Sequence, residues 1–106
     1  DGNLRKHAKA RQASYVVEKL LQVELGGEDK GAFLAHATEL LGEDFEYVDD
    51  LLEHRFGRFV LLSLLGMSQV ISQEVTFRLQ RTGERTERQE EVLAILQARG
   101  FGRDVQ

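Results

Sequence analysis

Glycine punctuates this chain at helix-length intervals and proline is absent, a combination that restricts it to helices joined by short turns. Gly26-Gly27, Gly42, Gly57, Gly83 and Gly100 each follow an apolar segment of helical period. That is where a left-handed residue ends a helix. Proline breaks helix interiors, so its absence over 106 residues suits a chain made mostly of helix. Valine, isoleucine and threonine form no alternating runs, and no Asn-Gly hairpin signal occurs. The expected fold class is all-α, a bundle of four to five helices forming a single domain over residues 1–106. A chain of this length buries roughly two thirds of its unfolded surface, enough for one core without staples. There is no cysteine, so disulfides and thiolate metal sites are excluded.

The first helix is expected from Leu4 to Leu25, with Asn3 as N-cap. Its second half carries Tyr15, Val16, Val17, Leu20, Leu21 and Val23 as a broad apolar face. Residues 1–13 form a basic segment, polar enough to be solvated or frayed. The second helix spans Lys30 to Leu41, with Phe33, Leu34, Ala37, Leu40 and Leu41 on one face. Glu28 and Asp29 at its start suit the helix dipole. A third segment, Glu43 to Arg55, turns Phe45, Val48, Leu51 and Leu52 inward. Gly57 then either ends it or kinks one continuous helix. The last helix opens on Thr86-Glu87-Arg88-Gln89, a capping box, and Gly100 stops it with Phe101 folding back.

A fourth, central helix is expected over about residues 58–82. Val60, Leu64, Met67, Ile71, Val75 and Leu79 recur at spacings of 4, 3, 4, 4 and 4. The apolar run Phe59–Ile71 covers thirteen residues, short of the roughly 20 that span a bilayer, so it reads as a core helix and no membrane association is expected. A continuous helix of about 24 residues is roughly 36 Å long. A domain of this size is about 33 Å across. Such a helix crosses the whole domain or protrudes, and protruding apolar surface needs a partner. Homodimerisation through this helix, the first helix or both is therefore expected, with Val60, Leu64, Met67, Ile71 and Val75 as the hydrophobic seam of the fourth. Gly66, flanked by Ser63 and Ser68, either permits a close helix crossing there or admits a large neighbour within the chain.

The net charge of −4 disfavours general polyanion binding, but the charges are segregated. Arg5, Lys6, Lys9 and Arg11 face Asp1 alone in the first thirteen residues. Ten acids face Lys30 over residues 24–53. Glu46, Asp49, Asp50 and Glu53 make the expected acidic face for a protein partner. Arg5, Lys6, Lys9 and Arg11 are the candidate phosphate contacts, with nucleic acid a less favoured partner. The stretch Arg85-Thr86-Glu87-Arg88-Gln89-Glu90-Glu91-Val92-Leu93 resembles the opening helix of winged-helix repressors, though no recognition helix or wing follows it.

Signatures of chemistry are weak. His36 precedes Glu39 by three and Asp50 precedes His54 by four, spacings that pair side chains on a helix surface. Neither histidine has the Glu-x-x-His spacing of a di-iron bundle. The acids of the third segment lie on a helix and not on an ion-wrapping loop. Gly26-Gly27-Glu28-Asp29-Lys30-Gly31 lacks the ending of a phosphate loop. No catalytic residue, metal or cofactor is expected. The reading is a non-enzymatic helical interaction or dimerisation module, regulatory or adaptor in kind and cytoplasmic. The alternatives are a small nucleic-acid-associated regulator using the basic N-terminal helix, and a ligand-sensing bundle.

Overall fold

Among the described residues the five expected segments become seven helices, because two of them break where a side-chain hydroxyl or a turn competes with the helical ladder. A computed structural model describes residues 3–27 and 30–102. Among the described residues the helices are α1 (Asn3–Ala8), α2 (Ala13–Gly26), α3 (Lys30–Leu41), α4 (Val48–Glu53), α5 (Gly57–Met67), α6 (Gln69–Arg81) and α7 (Glu87–Ala98), with no strand. The all-α class and the span of α3 stand as expected. Glu28 and Asp29 lie outside the described residues.

The long central helix is two helices. Ser68 adopts an extended conformation (φ −141°, ψ 118°), and its N–H still donates to the carbonyl of Leu64. Its Oγ then accepts from the N–H of Ile71 at 3.2 Å, so one residue closes α5 and caps α6. Ser72, fully buried, donates its hydroxyl to the carbonyl of Leu65 at 2.7 Å and takes up an acceptor that the break leaves without a helical donor. The break lets α6 take a direction of its own, against α7 as well as α5. The domain measures 38 × 27 × 21 Å, so nothing as long as the expected helix protrudes from it.

The first helix also divides. Lys9 to Gln12 form a turn, in which Ala10 N–H donates to the carbonyl of His7 at 3.0 Å. Ser14 Oγ donates to the carbonyl of Arg11 at 3.1 Å. Residues 3–13 of the basic segment are docked and not frayed, since Ala8 is fully buried and α1 touches α2, α3 and α5.

The third segment shrinks to α4. Gly42 (φ 89°) ends α3 in the left-handed region, and Phe45 (φ 60°) repeats that conformation three residues later. A side chain rarely accepts this geometry. Here the Phe45 ring is partly buried against the core, and Tyr47 N–H returns to the carbonyl of Leu41 at 2.9 Å. Residues 43–47 therefore turn the chain instead of starting a helix.

Helix α5 is central, in contact with α1, α2, α4 and α6. Its start lies so close to α4 that a Cβ on Gly57 would stand 3.0 Å from the carbonyl oxygen of Leu51. Leu21, Leu40, Leu51, Leu61, Leu64, Leu79 and Leu96 are among the fully buried core side chains. The capping box of α7 forms in both directions. Gln89 N–H donates to Thr86 Oγ1 at 3.1 Å, and Thr86 N–H donates to Gln89 Oε1 at 2.8 Å. At its far end Gly100 is left-handed (φ 99°), and Phe101 N–H closes on the carbonyl of Leu96 at 3.0 Å.

Candidate interaction surface

The apolar residues expected at a seam between chains lie inside this one. Val60, Leu64 and Val75 are 0% exposed and Ile71 is 7% exposed. Met67 is half-buried against the same cluster. With the helix broken at Ser68, the faces of α5 and α6 that would have formed a continuous stripe meet each other and their neighbours. Gly66 admits no large neighbour within the chain. It is exposed, and a Cβ there would meet open space.

The acidic and basic residues pair in part with each other. Asp50 accepts from Lys9 Nζ at 2.8 Å and lies 4.0 Å from Arg5 Nε. Arg5 also stacks on the Tyr47 ring at 3.7 Å and donates to the carbonyl of Glu39 at 3.4 Å. Asp49 accepts from Gln89 Nε2 at 3.0 Å and lies 3.5 Å from Arg78 Nη2. Glu53 accepts the hydroxyl of Thr86. Glu46 accepts the N–H of Asp44 at 3.0 Å. The acids of α4 thus clamp α1 on one side and α6 and α7 on the other. Each such half-exposed ion pair adds about 0.2–1 kcal/mol at most, so their effect is to fix register. Of the four expected phosphate contacts, Arg5 and Lys9 are engaged in this way, while Lys6 and Arg11 are exposed.

The histidines take structural positions. His36 pairs with Glu24 across α2 and α3 at 2.8 Å, and not with Glu39. His54 Nδ1 accepts from the N–H groups of Phe56 and Gly57 at 3.1 and 3.3 Å, and so organises the α4–α5 turn. His7 is exposed. Among the described residues no group of three or more histidines and acids is placed to hold a metal ion.

The surface left without a partner is on α2. Ser14, Val17 and Leu21 face the core. The acids of the helix turn to its neighbours, Glu18 to the hydroxyl of Ser63 and Glu24 to His36. The outward face carries Val16, Leu20 and Val23, exposed by 67%, 37% and 71%. Their spacings of four and three put them in line along a helix of 14 residues, about 21 Å of length. Lys19 is the one charged side chain of α2 among its exposed residues. No protein-family model, curated protein or solved structure matches the chain. The surface is therefore read from its own geometry.

Other exposed apolar side chains are more scattered. Phe77 is covered on one face by the Arg81 guanidinium, 4.1 Å from the ring centroid. Leu34 and Val70 sit on separate helices, with Phe45, around a cavity of about 420 Å³. Among the described residues only α2 presents three large exposed apolar residues in one helical row. No helix among the described residues is long and apolar enough to cross a membrane.

Sequence reasoning read this row as part of one broad apolar face of the first helix and did not separate it from the core stripe. A signal was available, because α2 carries two offset stripes, Val17 with Leu21 and Val16 with Leu20 and Val23. One helix face cannot bury both against a single layer.

Proposed function

We propose that this chain is a non-catalytic helical interaction module that associates with a second copy of itself through the outward face of α2. The carrying observation is the row Val16, Leu20 and Val23, apolar, in line and open to solvent. A 4–3 repeat is the spacing of a two-helix seam, in which each apolar side chain packs between side chains of the facing helix. The nearly uncharged face removes the repulsion and desolvation penalty that a charged helix would bring to such a pairing. The acidic and basic residues that pair within the chain fix the helices that present the stripe.

A pairing of one short helix with its copy lies at the small end of interfaces, below about 1,200 Å² in total. The dimer is accordingly weak and concentration-dependent. Its driving force is apolar, so salt leaves it intact. Light scattering on the eluting peak, at low and high salt and over a range of loading concentrations, tests this. A mass rising from 12.0 kDa toward twice that value in both buffers is expected. A monomer at every concentration, or a dimer that dissolves in salt, would remove the apolar seam.

A further inference from the structure

Beside the outward stripe, two adjoining cavities at the edge of α2 and α5 form one groove, apolar at one end and cationic at the other. The more apolar end, about 640 Å³, is walled by Tyr15, Phe56 and Phe59, with Glu18, whose carboxylate accepts the Ser63 hydroxyl, at its edge. The cationic end, about 600 Å³, brings Arg11, Arg55, Arg58 and Arg88 around the single carboxylate of Glu53. Arg11, Phe56 and Phe59 line both ends, so the walls are continuous.

This concentration of guanidinium groups stands out in a chain of net charge −4. Glu53 already accepts the Thr86 hydroxyl. Among the other described arginines, Arg5 meets Asp50, Arg78 meets Asp49 and Arg85 meets Glu90, whereas Arg81 and Arg99 meet no carboxylate among the described residues. Arg11, Arg55 and Arg58 have no carboxylate partner among the described residues, and Arg88 reaches only Glu91, at 3.8 Å. The Nη1 of Arg58 is buried without a hydrogen-bond partner. A buried guanidinium N–H without an acceptor is destabilising.

The chemistry at the two ends differs and is complementary to one kind of molecule. The planar guanidinium fork matches phosphate oxygens in pairs. Exposed aromatic rings offer faces on which a planar base stacks. The cavity volumes fall in the range of about 300–1,000 Å³ typical of small-ligand sites. We propose that the groove binds a nucleoside phosphate, its base on the rings of Tyr15 and Phe59 and its phosphates at Arg55, Arg58 and Arg88. Inorganic phosphate would use only the cationic end. An acidic peptide would leave the rings without a planar partner.

The test titrates the full chain with ATP, adenosine and inorganic pyrophosphate, and follows backbone amide shifts by NMR. ATP is expected to shift residues 11–18 and 53–59, with affinity falling as salt rises. Adenosine and pyrophosphate should each bind at least about tenfold more weakly, because each lacks one half of the recognition. Arg55→Gln should weaken ATP binding about tenfold, and Phe59→Ala should do so by a similar factor through lost stacking. Both residues are exposed, so circular dichroism should remain unchanged; Arg58→Gln, at a half-buried position, is secondary for that reason. Absence of ATP binding at millimolar concentration overturns the proposal. Pyrophosphate binding as tightly as ATP also overturns it, leaving a simple anion site. Binding of a single-stranded oligonucleotide without binding of ATP would make the groove a strand site instead.

Discussion

Replacing Leu64 with alanine separates the two roles open to α5, a wall of the chain's own core or a seam between chains. Leu64 is fully buried, and it sits in the middle of the helix that touches α1, α2, α4 and α6. Truncation to alanine removes the transfer free energy of the lost carbons and leaves a cavity that tightly packed neighbours fill only in part. Measured costs for such changes are about 2–5 kcal/mol, and full burial with helices on several sides places Leu64 in the upper half of that range. A domain of this size has a total stability of about 5–15 kcal/mol, so the variant loses a large fraction of it. The melting temperature should fall by at least about 10 °C. The control is Val23→Ser on the exposed face of α2, 71% exposed, where a change within about 0.5 kcal/mol is expected. Urea unfolding followed by circular dichroism, at concentrations low enough to keep the chain monomeric, reads both. A Leu64→Ala variant with unchanged stability and reduced self-association would refute the assignment of Leu64 to the core.

Two other substitutions probe the local logic. Gly66→Ala should stabilise the chain by about 0.4–1 kcal/mol, because the position is helical and exposed and an added Cβ meets nothing. A loss of stability in thermal melts would mean that this glycine is needed for a contact. Thr86→Ala removes both the cap of α7 and the hydroxyl bound by Glu53. It should cost about 1–2 kcal/mol, readable in the same urea titration, and a neutral result would show that α7 does not depend on its cap.

Much of the fold was legible because burial and capping are local. The capping box at Thr86 and Gln89 and the glycine stop at Gly100 follow from residue chemistry within one turn. The breaks at Ser68 and within residues 9–12 were not legible from periodicity. The apolar period runs unbroken from Val60 to Leu79, yet the two halves are separate helices. The deciding residues are Ser68 and Ser72, whose hydroxyls offer the backbone an alternative to the ladder. In the period they counted merely as polar interruptions.

The break also explains why the residues expected at the seam are buried within the chain. A continuous helix would have left its far half without neighbours, whereas a helix broken at Ser68 buries both halves. Charge was legible in amount and not in use. The acidic row of α4 and the basic residues of α1 were visible as separate patches, but only the packed helices bring Lys9 to Asp50 and Arg78 to Asp49. The groove of Arg11, Arg55, Arg58 and Arg88 was hidden for the same reason, because its residues come from three separate parts of the chain.

The central claim is that Val16, Leu20 and Val23 form a self-association surface. Sedimentation equilibrium of the native chain beside a Val16→Glu, Val23→Glu double variant tests it most directly, since both positions are exposed and the variant should fold unchanged. The account expects a concentration-dependent mass above 12.0 kDa for the native chain and a constant monomer mass for the variant. A native chain that stays monomeric, or a variant that associates as strongly as the native chain, would contradict it.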